Sequence, residues 1–246
     1  MEKEIKAIYD KSYTCPVCEK KFTSKTVRTG HVHMLHSEYD LRPVYDTVDQ
    51  VKYEVVSCPN CGCSATAKNF DKISYKSGQK IKAVIGDRYK PVEWGKSGIY
   101  THDEAKLRFK LALICAMAKD SKNSEKAYLN LKLAWVHSGE IDALKKSENP
   151  DLSKIKEDEK LEKEFRGKAL EGFIEARQKE NFPVAGMDED TLDYLMAALF
   201  LNQERFGECS RYLGAILIRQ TISSNLRNKA KDLKQLLNEK IKENEE

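Results

Sequence analysis

Two pairs of cysteines have the spacing of metal-binding turns. The segments Cys15-Pro16-Val17-Cys18 and Cys58-Pro59-Asn60-Cys61 are both C-P-x-C, and 39 residues lie between them. Two residues between the cysteines bring both sulfurs to one side of a tight turn, and the proline makes that turn more rigid. Gly62 follows the second pair and tolerates the positive φ that such turns often need. The two pairs therefore predict a tetrahedral four-sulfur site.

A four-sulfur site of this kind has no open position, so it is structural rather than catalytic. Zn²⁺ bound in it contributes folding free energy and holds no water for chemistry. We predict one structural Zn²⁺ bound by Cys15, Cys18, Cys58 and Cys61. Iron bound by the same sulfurs and thiol redox chemistry of the two CxxC pairs are alternatives that the spacing leaves open.

A competing pattern is the zinc finger with two cysteine and two histidine ligands. Its spacing is matched by Cys15, Cys18, Phe22, His31 and His36. Such a finger needs a helix over about residues 24–36 with leucine in its core, but Arg28 stands at that position among poor helix formers. It would also leave the second C-P-x-C without a partner. The pattern therefore favours the four-cysteine site, with His31, His33 and His36 as exposed strand or loop residues.

Three cysteines lie outside the two pairs. Cys63 is interpreted as a bystander, with an alternative ligand or, if exposed, a redox-active thiol as the other possibilities. Cys115 and Cys209 lie on apolar helical faces, where a lone cysteine is usually a small buried hydrophobe. The N-terminus has no hydrophobic signal region, so we expect the thiols to be reduced.

Composition indicates a soluble, cytoplasmic protein without a membrane partner. The 246 residues are 40% hydrophobic, which is enough for an ordinary core. The longest apolar run, residues 111–118, is far shorter than the ~20 residues of a membrane span. Residues 1–100 hold 17 basic and 12 acidic residues, whereas 101–246 hold 26 and 27, so the positive charge is N-terminal. This excess is only a modest attraction for nucleic acid.

The pattern predicts an α+β protein in three parts. Residues 1–70 form a small β-rich, zinc-ribbon-like region, in which the alternation of residues 51–55 predicts a half-buried strand leading into Cys58. Residues 71–100 are glycine-containing and basic, which suggests a hairpin or irregular connector rather than a helix. Residues 101–246 form a helical domain that begins with a capping box at Thr101 and Glu104.

The spacing of apolar residues predicts six helices in the C-terminal part. They cover about residues 101–119, 123–138, 154–180, 188–203, 205–220 and 223–243. The highly charged stretch 139–164 is interpreted as a solvated insertion, centred near 140–160, that continues into an exposed helix start.

Two of these segments resemble tetratricopeptide repeats. The first requires an insertion of about 25 residues between its helices, whereas the second fits without one. The matching residues are Tyr128, Leu131, Trp135, Gly139, Ala169, Phe173 and Ala176 in the first, and Tyr194, Ala197, Phe200, Phe206, Cys209, Leu213 and Ile216 in the second. A generic helical bundle would show similar spacing and stays open as an alternative.

These features together resemble the bacterial domain-of-unknown-function family 2225. The resemblance covers most of the chain and rests on Cys15, Cys18, Phe22, Val27, Arg28, Asp40, the segment Tyr53 to Val56, Cys58, Cys61 and Gly62. It implies that the four paired cysteines are metal-ligand candidates, and it implies no activity. The three histidines between His31 and His36 depart from the family pattern, which has basic and apolar residues there.

Three classes of function are compatible with the sequence. The favoured one is a zinc-stabilised module whose helical-repeat surface binds a protein or peptide. The second is nucleic-acid binding through residues 68–96, where eight basic residues are interleaved with Phe70, Tyr75, Tyr89 and Trp94. The third, an enzyme, is disfavoured because the chain lacks G-x-G-x-x-G, G-x-S-x-G and H-E-x-x-H motifs.

Overall fold

The computed structural model describes residues 2–245, which combine three short β-hairpins with a helical C-terminal region. Each hairpin is antiparallel and two-stranded. The hairpins are β1 (Ile8–Thr14) with β2 (Lys21–Val27), β3 (Met34–Ser37) with β4 (Pro43–Tyr45), and β5 (Val55–Ser57) with β6 (Ser64–Thr66). The helices are α1 (Glu2–Lys6), α2 (Ala67–Phe70), α3 (Tyr75–Ile85), α4 (His102–Ala118), α5 (Asn123–Lys145), α6 (Leu152–Lys179), α7 (Glu189–Asn202), α8 (Phe206–Ile218) and α9 (Ser224–Glu245). The predicted α+β class is confirmed.

The first and third hairpins carry the two cysteine pairs at their turns. Residues 15–20 join β1 to β2, and residues 58–63 join β5 to β6. Pairing runs the full length of both hairpins, from Ile8 with Val27 to Thr14 with Lys21 in the first. Regular pairing up to the turn holds each cysteine pair in one orientation.

The strand predicted over residues 51–55 is wrong except at Val55, where β5 begins. Residues Gln50–Tyr53 form a 3-10 helix, and Asp49 caps it by accepting a hydrogen bond from the Val51 N–H at 3.0 Å. Val51, Lys52 and Tyr53 are all buried, so the apolar–polar alternation does not correspond to two faces of a strand. Only β5 follows, and all three of its residues are buried.

The connector prediction is also wrong over part of residues 71–100, because α3 is a helix of 11 residues. Ser74 caps α3 through its hydroxyl, which accepts from the Ser77 N–H at 3.3 Å. The buried residues Gly78, Ile81 and Ile85 share one face, while the lysines lie on the other. Tertiary packing of this short apolar stripe outweighs the helix-weakening glycine.

The helices of the C-terminal part begin and end within about two residues of their predicted limits, except that α5 continues to Lys145 instead of ending near residue 138. The capping box is present, since Glu104 N–H donates to the Thr101 hydroxyl and the Glu104 carboxylate accepts from the Thr101 N–H. The charged stretch 139–164 consists of the facing ends of α5 and α6 and the six residues that join them, and most of its side chains are exposed or half-buried. Glu140 and Asp158 within it are buried beside Lys106, so ion pairing permits their burial.

One large apolar core contains residues of every helix from α4 to α9, together with Val51 and Val55 from the β-rich part. Neighbouring helices in the chain pack together, α5 with α6 and α7 with α8. The predicted division into 1–70, 71–100 and 101–246, and the tetratricopeptide character of the helices, stay predictions.

Between residues 2 and 245, no helix combines the length and the hydrophobicity that a membrane crossing requires.

Buried polar contacts tie the β-rich part to the helices. Arg108 of α4 is fully buried, and its guanidinium donates to the Val55 carbonyl and to the Ser24 hydroxyl. Its guanidinium also lies 3.6 Å from the centre of the Tyr100 ring. Carbonyl acceptors and an aromatic face replace a carboxylate partner for this cation. The orientation of the hairpins on the helices therefore depends on specific polar contacts as well as on apolar packing.

Candidate metal centre

The four predicted cysteines come together at the turns of the first and third hairpins. The Sγ atoms of Cys15 and Cys61 are 3.5 Å apart, and those of Cys18 and Cys58 are 3.6 Å apart. All four sulfurs lie within 4.8 Å of one another. A tetrahedral ion with metal–sulfur bonds of about 2.3 Å places its sulfurs about 3.8 Å apart. The four cysteines could thus bind one metal ion with little rearrangement.

The two turns have the same backbone geometry. In each, the first cysteine donates its N–H to the carbonyl five residues later, and its own carbonyl accepts from the N–H four residues later. The bonds are Cys15 N to Lys20 O at 3.1 Å, Glu19 N to Cys15 O at 2.9 Å, Cys58 N to Cys63 O at 2.9 Å and Gly62 N to Cys58 O at 3.0 Å. Two copies of one turn, facing each other, supply the four sulfurs.

The residue after each cysteine pair has a positive φ. Gly62 has φ 75°, as its sequence position predicts, and Glu19 has φ 61° at the equivalent position of the first turn. A non-glycine residue carries a conformational cost in this region. Gly62 has a further constraint, because a Cβ there would lie only 2.5 Å from Cδ2 of Tyr89. The sequence indicates that residue 62 needs a positive φ. Only the tertiary structure reveals that a Cβ at this position would overlap the Tyr89 ring.

Gly62→Ala is expected to destabilise the protein by about 2–4 kcal/mol, from the positive φ together with overlap with the Tyr89 ring. Gly30→Ala is the matched control, because Gly30 has φ 85° but no atom lies within 4 Å of the position that a Cβ would take there. We expect the control to lose only about 1 kcal/mol. Urea unfolding of both variants measures the difference. Equal losses would contradict a role for the Tyr89 contact.

Hydrogen bonds and pKa shifts couple Cys15 to the Cys58 and Cys61 thiols. The Val17 N–H donates to Cys15 Sγ at 3.4 Å. Hydrogen bonds from the Cys58 and Cys61 thiols hold the pKa of Cys15 far below its usual value, while the bond to Cys15 raises the pKa of Cys58 to about 12. Without a cation, Cys15 is therefore the favoured thiolate, while Cys58 and Cys61 retain their protons. A divalent cation would displace those protons and stabilise all four thiolates.

Aromatic and helical residues enclose the cysteine cluster. The rings of Tyr13, Phe22 and Phe70 have centroids 5.8–5.9 Å apart. Helix α3 contacts the first turn through Gly78, whose Cβ position would lie 3.4 Å from the Pro16 carbonyl oxygen. The Val92 N–H donates to the Pro59 carbonyl at 3.1 Å and holds the second turn. The cysteine cluster is therefore packed against aromatic rings, helix α3 and the segment that contains Val92.

The remaining cysteines are buried. Cys63 is fully buried, which contradicts the alternative of an exposed redox-active thiol, and its sulfur is not part of the four-sulfur group. Cys115 is also buried, and its Sγ accepts a hydrogen bond from the Ser64 N–H at 3.2 Å, so it supports the strand after the second turn. Cys209 lies in the helical core. The burial predicted for Cys115 and Cys209 is confirmed.

The two-histidine finger is contradicted by the structure. Residues 21–27 and 34–37 are strands, so the required helix over 24–36 is absent from this described segment. His31, His33 and His36 are exposed, as predicted, and the latter two contact Asp46 and Glu38 at 3.3 and 3.2 Å. Within residues 2–245, the four cysteines are the one group of three or more His, Cys, Asp or Glu side chains whose ligand atoms lie within 4.8 Å of one another.

The aromatic residues interleaved with the basic residues 68–96 are mostly used in packing. Phe70 is fully buried, and Tyr89 packs on Gly62. Tyr75 is the exception, with 78% of its surface exposed. Stacking of successive bases requires several exposed rings. The geometry therefore offers little support for the stacking platform that the sequence suggested.

A second polar cluster escaped the sequence interpretation. His137 and Glu140 of α5 and Asp158 of α6 are buried together with Lys106 of α4. Their sequence signal is weak: two polar residues three apart on a helix, His137 and Glu140, follow a strongly apolar run. Their convergence depends on the packing of three helices, which no local pattern displays.

Comparison with known proteins places the whole chain in one family. No curated protein and no solved structure matches it. The sequence profile of a bacterial family described as "Uncharacterized protein conserved in bacteria (DUF2225)" matches residues 8–237. This range contains all four clustered cysteines, both hairpins that carry them and nearly all of the helical region. The chain therefore belongs to the DUF2225 family, as the resemblance of its cysteine pairs and following helices predicted.

Proposed function

We propose that this protein is a zinc-stabilised module that binds a peptide segment of another protein. One structural Zn²⁺ is bound by Cys15, Cys18, Cys58 and Cys61. The observation that supports the metal is the convergence of four sulfurs from two equivalent turns. Thiolate-only tetrahedral sites suit Zn²⁺ and leave no open coordination position, so the ion stabilises the fold rather than catalysing a reaction.

The observation that supports peptide binding is a groove between the metal-supported hairpin and the helices. Its volume is about 620 Å³. One wall is the segment 66–69, which directly follows β6, and the other includes Tyr128 of α5 and the segment 183–186. Because the first wall continues from the second cysteine turn, a bound metal would hold it in place.

The polar groups at the groove suit an extended peptide. Lys68, Lys122, Glu54 and Glu125 line the groove. Glu54 is paired with Lys132, and Glu125 is paired with Lys119, each at 2.8 Å. Glu180 is already engaged, since its carboxylate accepts from the Ser124 N–H at 3.0 Å and caps the start of α5. An apolar floor with charges of both signs at the rim is the usual composition of a protein recognition site. The ligand class is therefore a mixed-charge peptide with apolar anchors.

The test is a selection of peptides from a random phage-displayed library on the metal-loaded protein. Ala67 is exposed at the groove, so Ala67→Trp should fill it and weaken the selected peptides at least tenfold. Ala83→Trp is the control, because Ala83 is exposed on α3 and does not line the groove. Peptides that bind wild type and Ala67→Trp equally would contradict the assignment of the groove, as would a failure to enrich any peptide.

A further inference from the structure

A separate polar cavity lies between α4, α5 and α6. Its volume is about 250 Å³, and none of the four clustered cysteines lines it. His137 of α5, Asp158 of α6 and Lys106 of α4 form its interior, while Lys154 and Glu157 lie nearby on the first turns of α6. Neither the proposed metal site nor the proposed peptide groove uses any of these side chains.

His137 is held in one orientation by its neighbours. Its side chain is 1% exposed, and Nδ1 lies 2.6 Å from Oδ1 of Asp158. The imidazole ring also stacks on Phe165, with centroids 5.6 Å apart. The carboxylate of Asp158 can only accept, so Nδ1 of His137 carries the hydrogen and Nε2 presents a lone pair.

The pKa shifts of the pair agree with a neutral imidazole beside a carboxylate. Burial lowers the pKa of His137. Burial alone would raise the pKa of Asp158, but the hydrogen bond from His137 and the charge of Lys106 outweigh it and hold that pKa below its usual value. The pair therefore carries one negative charge near neutral pH.

Two acceptor atoms of this pair lack hydrogen-bond partners. His137 Nε2 and Asp158 Oδ2 are both buried, and no donor among residues 2–245 bonds to either. Buried polar atoms are nearly always paired, so an unpaired acceptor at a cavity marks a place for a donor. A single ligand with at least two donor hydrogens would satisfy both acceptors at once.

The charges around the cavity favour a cation. Lys106 pairs with Asp103 at 3.0 Å and with Asp158 at 3.3 Å, and it also contacts Glu140. Lys154 pairs with Glu140 at 3.3 Å. The carboxylates are Asp103, Glu140, Glu157 and Asp158, and the ammonium groups are Lys106, Lys110 and Lys154. With His137 neutral, four negative and three positive charges leave one negative charge for a ligand to neutralise.

The geometry points to a binding site for a small guanidinium compound, whose N–H groups donate to His137 Nε2 and Asp158 Oδ2. A metal ion is disfavoured, because in the described part of the chain no third His, Cys, Asp or Glu ligand atom completes a cluster with this pair. A guanidinium is planar, carries several N–H donors and is weakly hydrated, so it suits a partly enclosed cavity with fixed acceptors. Its single positive charge matches the excess charge of the cavity walls.

The direct test is a titration of the full-length protein, labelled with ¹⁵N-histidine, with methylguanidinium chloride at constant ionic strength. We expect a saturable NMR shift of the His137 Nε2 resonance within the millimolar range. Tetramethylammonium chloride is the matched probe, because it has the same charge and no N–H donor, and it should cause no saturable shift. A cavity that holds only water would show no response to either salt, and an equal response to both would also overturn the proposal.

Calorimetric binding measurements on variants test whether methylguanidinium binds in this cavity. Asp158→Asn retains the size of the side chain and removes its charge, so it should weaken methylguanidinium binding at least about tenfold. His137→Phe keeps a ring against Phe165 but removes both nitrogens, and it provides the test if Asp158→Asn does not fold. Glu148→Gln removes an exposed carboxylate between α5 and α6 and should leave the affinity unchanged. Wild-type affinity in the folded cavity variants would overturn the assignment.

Discussion

Cys58→Ser is expected to abolish metal binding and to unfold the two hairpins that carry the cysteines, whereas His31→Ala leaves both intact. Cys58 contributes one of the four sulfurs that lie within 4.8 Å of one another. Structural zinc ions contribute about 10–16 kcal/mol to the folding of zinc-finger peptides. The apolar residues around the site, including Tyr13 and Phe70, offset part of that loss. The expected result is local unfolding of the β-rich part with retention of most helical signal.

Metal content per chain, measured together with a thiol count on protein purified without added metal, checks this prediction. We expect one zinc per chain in the wild type and in His31→Ala, and none in Cys58→Ser. His31 is the matched control because the two-histidine pattern requires it and the structure leaves it exposed. Loss of zinc in His31→Ala would contradict the four-cysteine site. Iron in place of zinc would retain the four-cysteine site with a different ion. A wild type without metal would instead make thiol redox chemistry the leading interpretation.

Asp40→Ala is expected to reduce the free energy of unfolding by about 3–5 kcal/mol, because it leaves a buried cation without its main partner. Asp40 is fully buried, and its Oδ2 accepts from Arg166 Nη2 at 2.8 Å and from Trp135 Nε1 at 2.9 Å. Burial lowers the pKa of Arg166, but the charges of Asp40 and Glu162 outweigh it, so the pKa stays above its usual value. Because an arginine pKa lies far above neutral pH even without such a partner, the guanidinium remains charged when Asp40 is removed.

Urea unfolding of Asp40→Ala and Asp46→Ala separates a buried carboxylate from an exposed one. Asp46 is exposed, and its carboxylate accepts from the His33 N–H at 3.0 Å, so its replacement should cost only about 1 kcal/mol. The double variant Asp40→Leu, Arg166→Met should recover much of the lost stability, since an apolar pair needs no charge compensation. A loss in Asp40→Ala no larger than in Asp46→Ala would show that Glu162 alone can satisfy Arg166.

Local signals in the sequence account for most of the helices and for the turns at the candidate metal site. The Thr101 and Glu104 capping box predicts the start of α4 because both of its hydrogen bonds form within one turn. The two C-P-x-C segments predict their turns for the same reason, since each turn closes on itself through two short-range backbone bonds. Such features depend on residues within about five positions, and the sequence displays them directly.

Errors arise where burial is decided by contacts distant in the chain. The alternation at 51–55 looks like a strand, yet Lys52 is buried because its ammonium group reaches Glu4. The lysine-rich helix α3 forms because Gly78 fits against the first cysteine turn. Within the charged stretch 139–164, Glu140 and Asp158 are buried because both pair with Lys106. In each case the partner lies at least about 34 positions away, beyond the range of local patterns.

The order of residues along the chain is sufficient to predict the four-cysteine set, the α+β succession of elements, the limits of most helices and membership of the DUF2225 family. These features follow from short-range geometry, apolar periodicity and residue spacing, which a single chain displays without its fold. The contact of Tyr89 with Gly62, the burial of Cys63 and the pairing of His137 with Asp158 become visible only in the folded protein. Those contacts arise because packing brings together residues from separate elements, and the side chains then find partners that no local pattern specifies.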